Sequence, residues 1–83
     1  MPTVTVRFFA GAAAAAGCKE LALDADTVAD VATQLRSQFG PDFARVLDAS
    51  SMLVDATVAR GDFAAIPVSA GTTVDVLPPF AGG

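Results

Sequence analysis

The residues with the most chemical promise end the sequence: Pro78-Pro79-Phe80-Ala81-Gly82-Gly83. Two prolines fix φ at about −65° and withhold two amide donors, so strand pairing stops there and the chain runs extended and stiff. Glycine has no side chain, so Gly82 and Gly83 would let a terminal carboxylate enter a narrow channel with its backbone against the walls. That carboxylate, with a pKa of roughly 3.3–3.7, is ionised at neutral pH. Carboxylates are poor acyl donors, and one oxygen must become a leaving group before any transfer. With glycine at about 7% of residues, a terminal pair arises by chance in about one chain in 200. The Pro-Pro stiffener ahead of it is foreign to an ordinary frayed terminus.

The side chains offer little competing chemistry. The 83 residues include no histidine and one cysteine, which excludes a Ser-His-Asp triad, a Cys-His pair, an imidazole metal ligand and an internal disulfide. The formal charge of −4, with no basic run, argues against nucleic acid. The stretch Gly11–Gly17, GAAAAAG, lacks the lysine of a phosphate-binding loop, and the acidic residues are too dispersed to name a metal site. No metal and no bound cofactor are therefore expected. The apolar run 8–18 is short of the ~20 residues that a membrane span needs. Ala15-Ala16-Gly17-Cys18 has the look of a lipoprotein cleavage box, but the preceding TVTVRFF alternates like a strand and carries a single Arg7. The expectation is a cytoplasmic protein with Cys18 as an inert, half-buried thiol.

The elements that must position the tail follow from periodicity. Thr3 to Phe9 alternates as a strand, with Val4, Val6 and Phe8 on one face. Residues 10–16 read as a connection with at most one helical turn, and Lys19 to Asp24 as a second strand. Val28, Val31, Ala32, Leu35 and Phe39 form a helical stripe, opened by Thr27 and Asp30 as a capping box and closed by Gly40-Pro41. A short second helix fits 42–48. Strands follow at Ser51–Asp55, Thr57–Arg60 and, after a turn at Gly71, Thr72–Leu77. Strands flanking one main helix imply an α+β fold. The expected fold is a β-grasp, or ubiquitin-like, mixed sheet of about five strands with one main helix on one face and the last strand beside the first. A single domain would cover 1–77 and the tail 78–83. A ferredoxin-like sandwich is the alternative, though it would want two helices of similar length.

The ending VDVLPPFAGG, with TVRFFAGAAAAAG, TVADVATQL and the Gly71 turn, resembles the MoaD/ThiS-type sulfur-carrier family, most of all the small subunit of molybdopterin synthase. The similarity spans the chain, and the tail is its most specific part. Three positions depart from it: alanines replace an Arg-Glu pair in the first connection, the last turn reads Ala70-Gly71-Thr72 instead of Asp-Gly-Asp, and Asp55 stands near a frequent Asn. The resemblance implies that an ATP-dependent, E1-like adenylating enzyme activates Gly83. A sulfur donor protein then converts it to a thiocarboxylate. The thiocarboxylate delivers sulfur to a pyranopterin precursor held by the large subunit, which carries the catalytic residues. Gly82, Ala81, Phe80, Pro79 and Pro78 would thread the partner's channel. The chain would not be an enzyme by itself.

Alternation also suggests a partner-binding surface. If the first and last strands are neighbours, Phe9 and Leu77 share the face opposite Val4, Val6, Phe8, Val74 and Val76, beside the tail, and Val58 joins them. The alternative is that these are isolated surface apolars, which are common. Other function classes fit the same ending: a carrier for cysteine or thiamine synthesis, a ubiquitin-like modifier joined to lysines, or an interaction module with an inert tail.

Overall fold

A computed structural model describes residues 2–79. Strand β1 (Thr3–Phe8) leads into helix α1 (Gly11–Ala16) and strand β2 (Glu20–Asp24). Helices α2 (Val28–Phe39) and α3 (Pro41–Ala49) come next, followed by β3 (Ser51–Val54), β4 (Thr57–Val58), a 3-10 turn at Phe63–Ala65, and β5 (Thr73–Leu77). The strands form one sheet in the order β2-β1-β5-β3-β4. β1 runs parallel to β5 and every other pairing is antiparallel. A five-stranded mixed sheet with the first and last strands parallel at its centre is the β-grasp arrangement, and it displaces the ferredoxin-like alternative.

Local chemistry explains the helices. The Thr27 hydroxyl accepts from the Asp30 N–H at 3.2 Å, and the Asp30 carboxylate accepts from the Thr27 N–H at 3.2 Å, closing the capping box at the start of α2. Gly40, at φ 87°, ends α2, and Pro41 opens α3, where its missing N–H costs nothing. The Ala-rich connection is a six-residue helix, longer than the single turn expected from its small side chains. It is pinned by Ala12, which is fully buried. Alanine has the highest intrinsic helix propensity, which supplies what side-chain bulk does not.

The core lies between one sheet face and the helices. Val4, Val6, Val74 and Val76 on the central strands, Val28, Val31 and Leu35 on α2, and Phe43 on α3 are all wholly buried. The Phe8 ring meets Phe39 and Phe43 edge-on at centroid distances of 5.7 and 5.6 Å, tying β1 to both long helices. The expected main helix thus shares its work with a second one of nine residues.

Every strand is shorter than the sequence suggests: β1, β2 and β5 each lose one terminal residue (Phe9, Lys19 and Thr72), and the larger differences are in β3 and β4. The fourth strand stops at Val58 instead of Arg60, and Asp55 leaves the third strand for a two-residue turn, where Asp55 and Ala56 take φ of 46° and 71°. Both signs match the primed turns that suit a hairpin's twist, usually built with glycine or asparagine. Asp55 is held there by β5: its N–H donates to the Thr73 carbonyl at 2.9 Å and its Oδ1 accepts from the Thr73 N–H at 3.0 Å. Among the described residues no helix is long and apolar enough to cross a membrane.

Phe43→Ala should cost about 3–5 kcal/mol, because the cavity opens where three helices and β1 converge. Thr27→Ala should cost about 1 kcal/mol through the lost cap. Urea denaturation followed by circular dichroism measures both, and the larger loss belongs to Phe43.

Candidate functional site

Parallel pairing aligns the C-terminal ends of β1 and β5, with Phe8 opposite Val76. Those two side chains point into the core, so their successors Phe9 and Leu77 emerge together on the other face. The Phe9 N–H donates to the Val76 carbonyl at 3.2 Å, which extends the pairing one residue past β1. Phe9 is 38% exposed and Leu77 half-buried. With Ala10 and Pro78 they line an apolar pocket of about 360 Å³ at the point where the tail leaves the sheet. Pro78 is half-buried against that pocket and Pro79 is exposed. Phe80, Ala81, Gly82 and Gly83 lie outside the described residues.

Val58 shares the face but not the pocket. It pairs with Leu53, which pairs with Asp75 of β5, so it sits two strands away, roughly 10 Å at the usual strand spacing. It is 40% exposed. The structure therefore brings Phe9 and Leu77 together at the tail root and leaves Val58 at the far edge of the same surface.

Between them lies a feature that hydrophobic alternation could not show. Arg7 Nε donates to Asp75 Oδ1 at 2.7 Å and Arg7 Nη2 donates to Asp75 Oδ2 at 2.9 Å. This two-pronged geometry is among the stronger ionic contacts. Asp75 is only 8% exposed, although it belongs to the outer sheet face, because Arg7 lies over it. The hydrogen bond to Asp75 and its charge hold the Arg7 guanidinium above its ordinary value, so it is cationic at every accessible pH. The guanidinium carbon also stands 5.7 Å from the centre of the Phe9 ring. Opposite charges at outward positions of the first and last strands were a signal in the sequence, but reading it required the register that sets Arg7 against Asp75.

Ala10 completes the corner. Its φ of 49° is left-handed backbone, costly for an L-residue by about 1–3 kcal/mol. The bend separates exposed Phe9 from α1 and lets Ala10 line two cavities. One is the tail-root pocket. The other is an open groove of about 370 Å³ bounded by Arg7, Phe9, Lys19 and Glu20. Cys18, half-buried, occupies the turn between α1 and β2. Among the described residues no group of three or more potential metal ligands comes together, and no buried polar side-chain atom lacks a hydrogen bond. The surface offers apolar area, one fixed cation and a chain exit.

The sequence model of the ThiS family matches residues 6–83. No curated protein matches the sequence. Among solved structures, small archaeal modifier protein 1 from Methanosarcina acetivorans superposes with a TM-score of 0.83 at 24% identity, over 100% of this chain and 98% of that one. A putative molybdopterin converting factor subunit 1 from Pyrococcus furiosus gives 0.81 at 20% identity, over 96% of this chain and 100% of the other. A chain from the complex of subunits 1 and 2 of the Helicobacter pylori molybdopterin-converting factor gives 0.74 at 18% identity, covering 98% and 99%. At these identities the likeness is one of fold: all share the ubiquitin-like β-grasp.

Because Phe9 and Leu77 point away from the core, Phe9→Asp with Leu77→Asp should leave the fold intact. Surface changes of this kind usually shift stability by about 0.5 kcal/mol or less, which a thermal melt of the double variant checks.

Proposed function

The chain belongs to the ThiS family, and from that premise we propose that it is a sulfur carrier acting as the small subunit of a molybdopterin synthase. The observation that carries this reading is the tail root. β5 hands the chain to Pro78 directly beside the apolar Phe9–Leu77 pocket, and the family match runs on through Gly83. An apolar patch next to a stiff exit lets one protein surface grip the carrier while the tail enters a channel.

In this reading an E1-like enzyme uses ATP to adenylate the Gly83 carboxylate, which makes AMP the leaving group. Sulfur delivered at the sulfide level by a donor protein displaces AMP from the acyl carbon and leaves a thiocarboxylate. The sulfur then attacks a carbon of a pyranopterin precursor held by the large subunit, displacing an oxygen, and water cleaves the resulting thioester to restore the Gly83 carboxylate. The carrier needs no catalytic side chain of its own, which fits a chain without histidine. Phe9 and Leu77 provide the grip, Val58 widens it, and Pro78 to Gly83 provide the reach. The H. pylori neighbour comes from a complex of subunits 1 and 2, which supports a large-subunit partner. The setting proposed is the cytoplasm.

A second reading has its own support, since other neighbours of the same fold are small archaeal modifier proteins. A modifier would use the same activated Gly83 but join it to lysines of other proteins.

Intact mass separates the two. With the adenylating enzyme, ATP and the sulfur donor, a carrier gains about 16 Da as sulfur replaces oxygen, whereas a modifier yields discrete adducts on other proteins. Deleting Gly82 and Gly83 should abolish the mass gain without changing the melting temperature. Phe9→Asp with Leu77→Asp should weaken large-subunit binding at least about tenfold, as loss of a central aromatic anchor does. An unchanged Kd would remove the patch from the account.

A further inference from the structure

We infer that the Arg7–Asp75 pair is the selectivity determinant of the docking face: it favours a protein partner that sets a carboxylate or carbonyl oxygen against Arg7, and it penalises a partner that is apolar there. The inference rests on reading the Phe9–Leu77 patch as a docking surface, and it names what that surface asks of its occupant.

The pair occupies an unusual place. The outer sheet face is exposed at Thr3, Arg7, Ala22 and Val58, yet Asp75 at its centre is 8% exposed. Asp75 is flanked by Arg7 on β1 and Leu53 on β3, its register partners on either side. Leu77, the next residue of β5 on that face, is half-buried. A charged pair therefore lies within the same apolar surface as Phe9, Leu77 and Leu53.

Stability alone does not explain it. The Arg7 side chain is 48% exposed, so solvent screens the attraction, while covered Asp75 still loses its water, and the pair adds little net stability. The core on the other face is packed without either residue.

Recognition does explain it. A guanidinium has more N–H donors than one carboxylate can take. Two are used on Asp75, and the Arg7 side chain is still 48% exposed, so the rest face solvent. A partner that covers Phe9 must cover Arg7 as well, since the guanidinium carbon stands over the Phe9 ring, 5.7 Å from its centre. An apolar partner would strand those donors without water. An oxygen placed opposite them would restore charge-assisted hydrogen bonds at the centre of the contact. The fork to Asp75 and the Phe9 ring hold the guanidinium in place beforehand, so little side-chain freedom is lost on binding. The same arrangement discriminates between partners that offer similar apolar area.

The test titrates full-length R7L/D75L and R7Q/D75N against the cognate large subunit of the proposed molybdopterin synthase, by calorimetry, with a thermal melt of each variant. The first replaces the pair by apolar residues; the second keeps a neutral hydrogen bond across the same strands and decides the matter if the first does not fold. Both should melt near the parent temperature and bind with a Kd raised at least about tenfold, the loss expected when charged hydrogen bonds go unmade. A smaller rise, or tighter binding, in a folded variant overturns the inference. F9D/L77D in the same titration separates the two levels. Loss of binding there, with the Arg7–Asp75 variants unaffected, leaves the docking surface standing and removes only the selectivity role. Parent-like binding by F9D/L77D removes both.

Discussion

The parallel pairing of β1 with β5 is the constraint on which the rest of the molecule depends. Thr5 to Phe8 lie against Thr73 to Val76, residues almost a full chain length apart. Closing so long a loop is entropically costly, although the cost grows only slowly with length. The burial of Val4, Val6, Phe8, Val74 and Val76 against two helices offsets it. The register of this one pairing then decides everything on the outer face. It sets Phe9 beside Leu77, sets Arg7 against Asp75, and points the chain out of the sheet beside the pocket. A slip of β1 by one residue would turn Arg7 into the core and Val4, Val6 and Phe8 out of it while Asp75 stayed on the outer face.

The sheet therefore divides its labour by face. One side is a conventional core closed by Leu35 of α2, Phe43 of α3 and the cluster of Phe8, Phe39 and Phe43. The other carries the apolar corner at the tail root and the covered ion pair. A chain that is 53% apolar and only 83 residues long has more apolar surface than its core can absorb. Among the described residues the exposed large apolar side chains, Phe9 and Val58, both lie on the outer face, with half-buried Leu77 beside Phe9. One of three positive-φ non-glycine residues among the described residues lies at the same corner: Ala10, with φ 49°, at the bend between Phe9 and α1.

Much of this was legible because it rests on periodicity and local chemistry. The stripe from Val28 to Phe39, the Thr27–Asp30 box, Gly40-Pro41 and the alternation in β1 and β5 each carry a local physical reason, and the structure has each of them. Phe9 and Leu77 followed from alternation together with the assumption that the first and last strands are neighbours. What was not legible depends on tertiary partners. Asp55 adopts a strained turn because β5 holds both its backbone and its carboxylate. The helix at 11–16 depends on a buried Ala12, whose burial no apolar pattern announces. Arg7 and Asp75 look like two ordinary outward charges until the register joins them. Ala10 gives no sequence signal at all, since its conformation would be expected of glycine.

Under the proposed function the chain presents one reactive atom and a partner supplies the pocket. The most direct measurement is a single-turnover transfer from carrier loaded at Gly83 with radiolabelled sulfur, mixed with the large subunit and the pyranopterin precursor. The account predicts that the label leaves the protein and appears in the pterin product, and that Phe9→Asp with Leu77→Asp slows this transfer. Label that stays on the carrier, or is released while Gly83 becomes joined to lysines of other proteins, would contradict it.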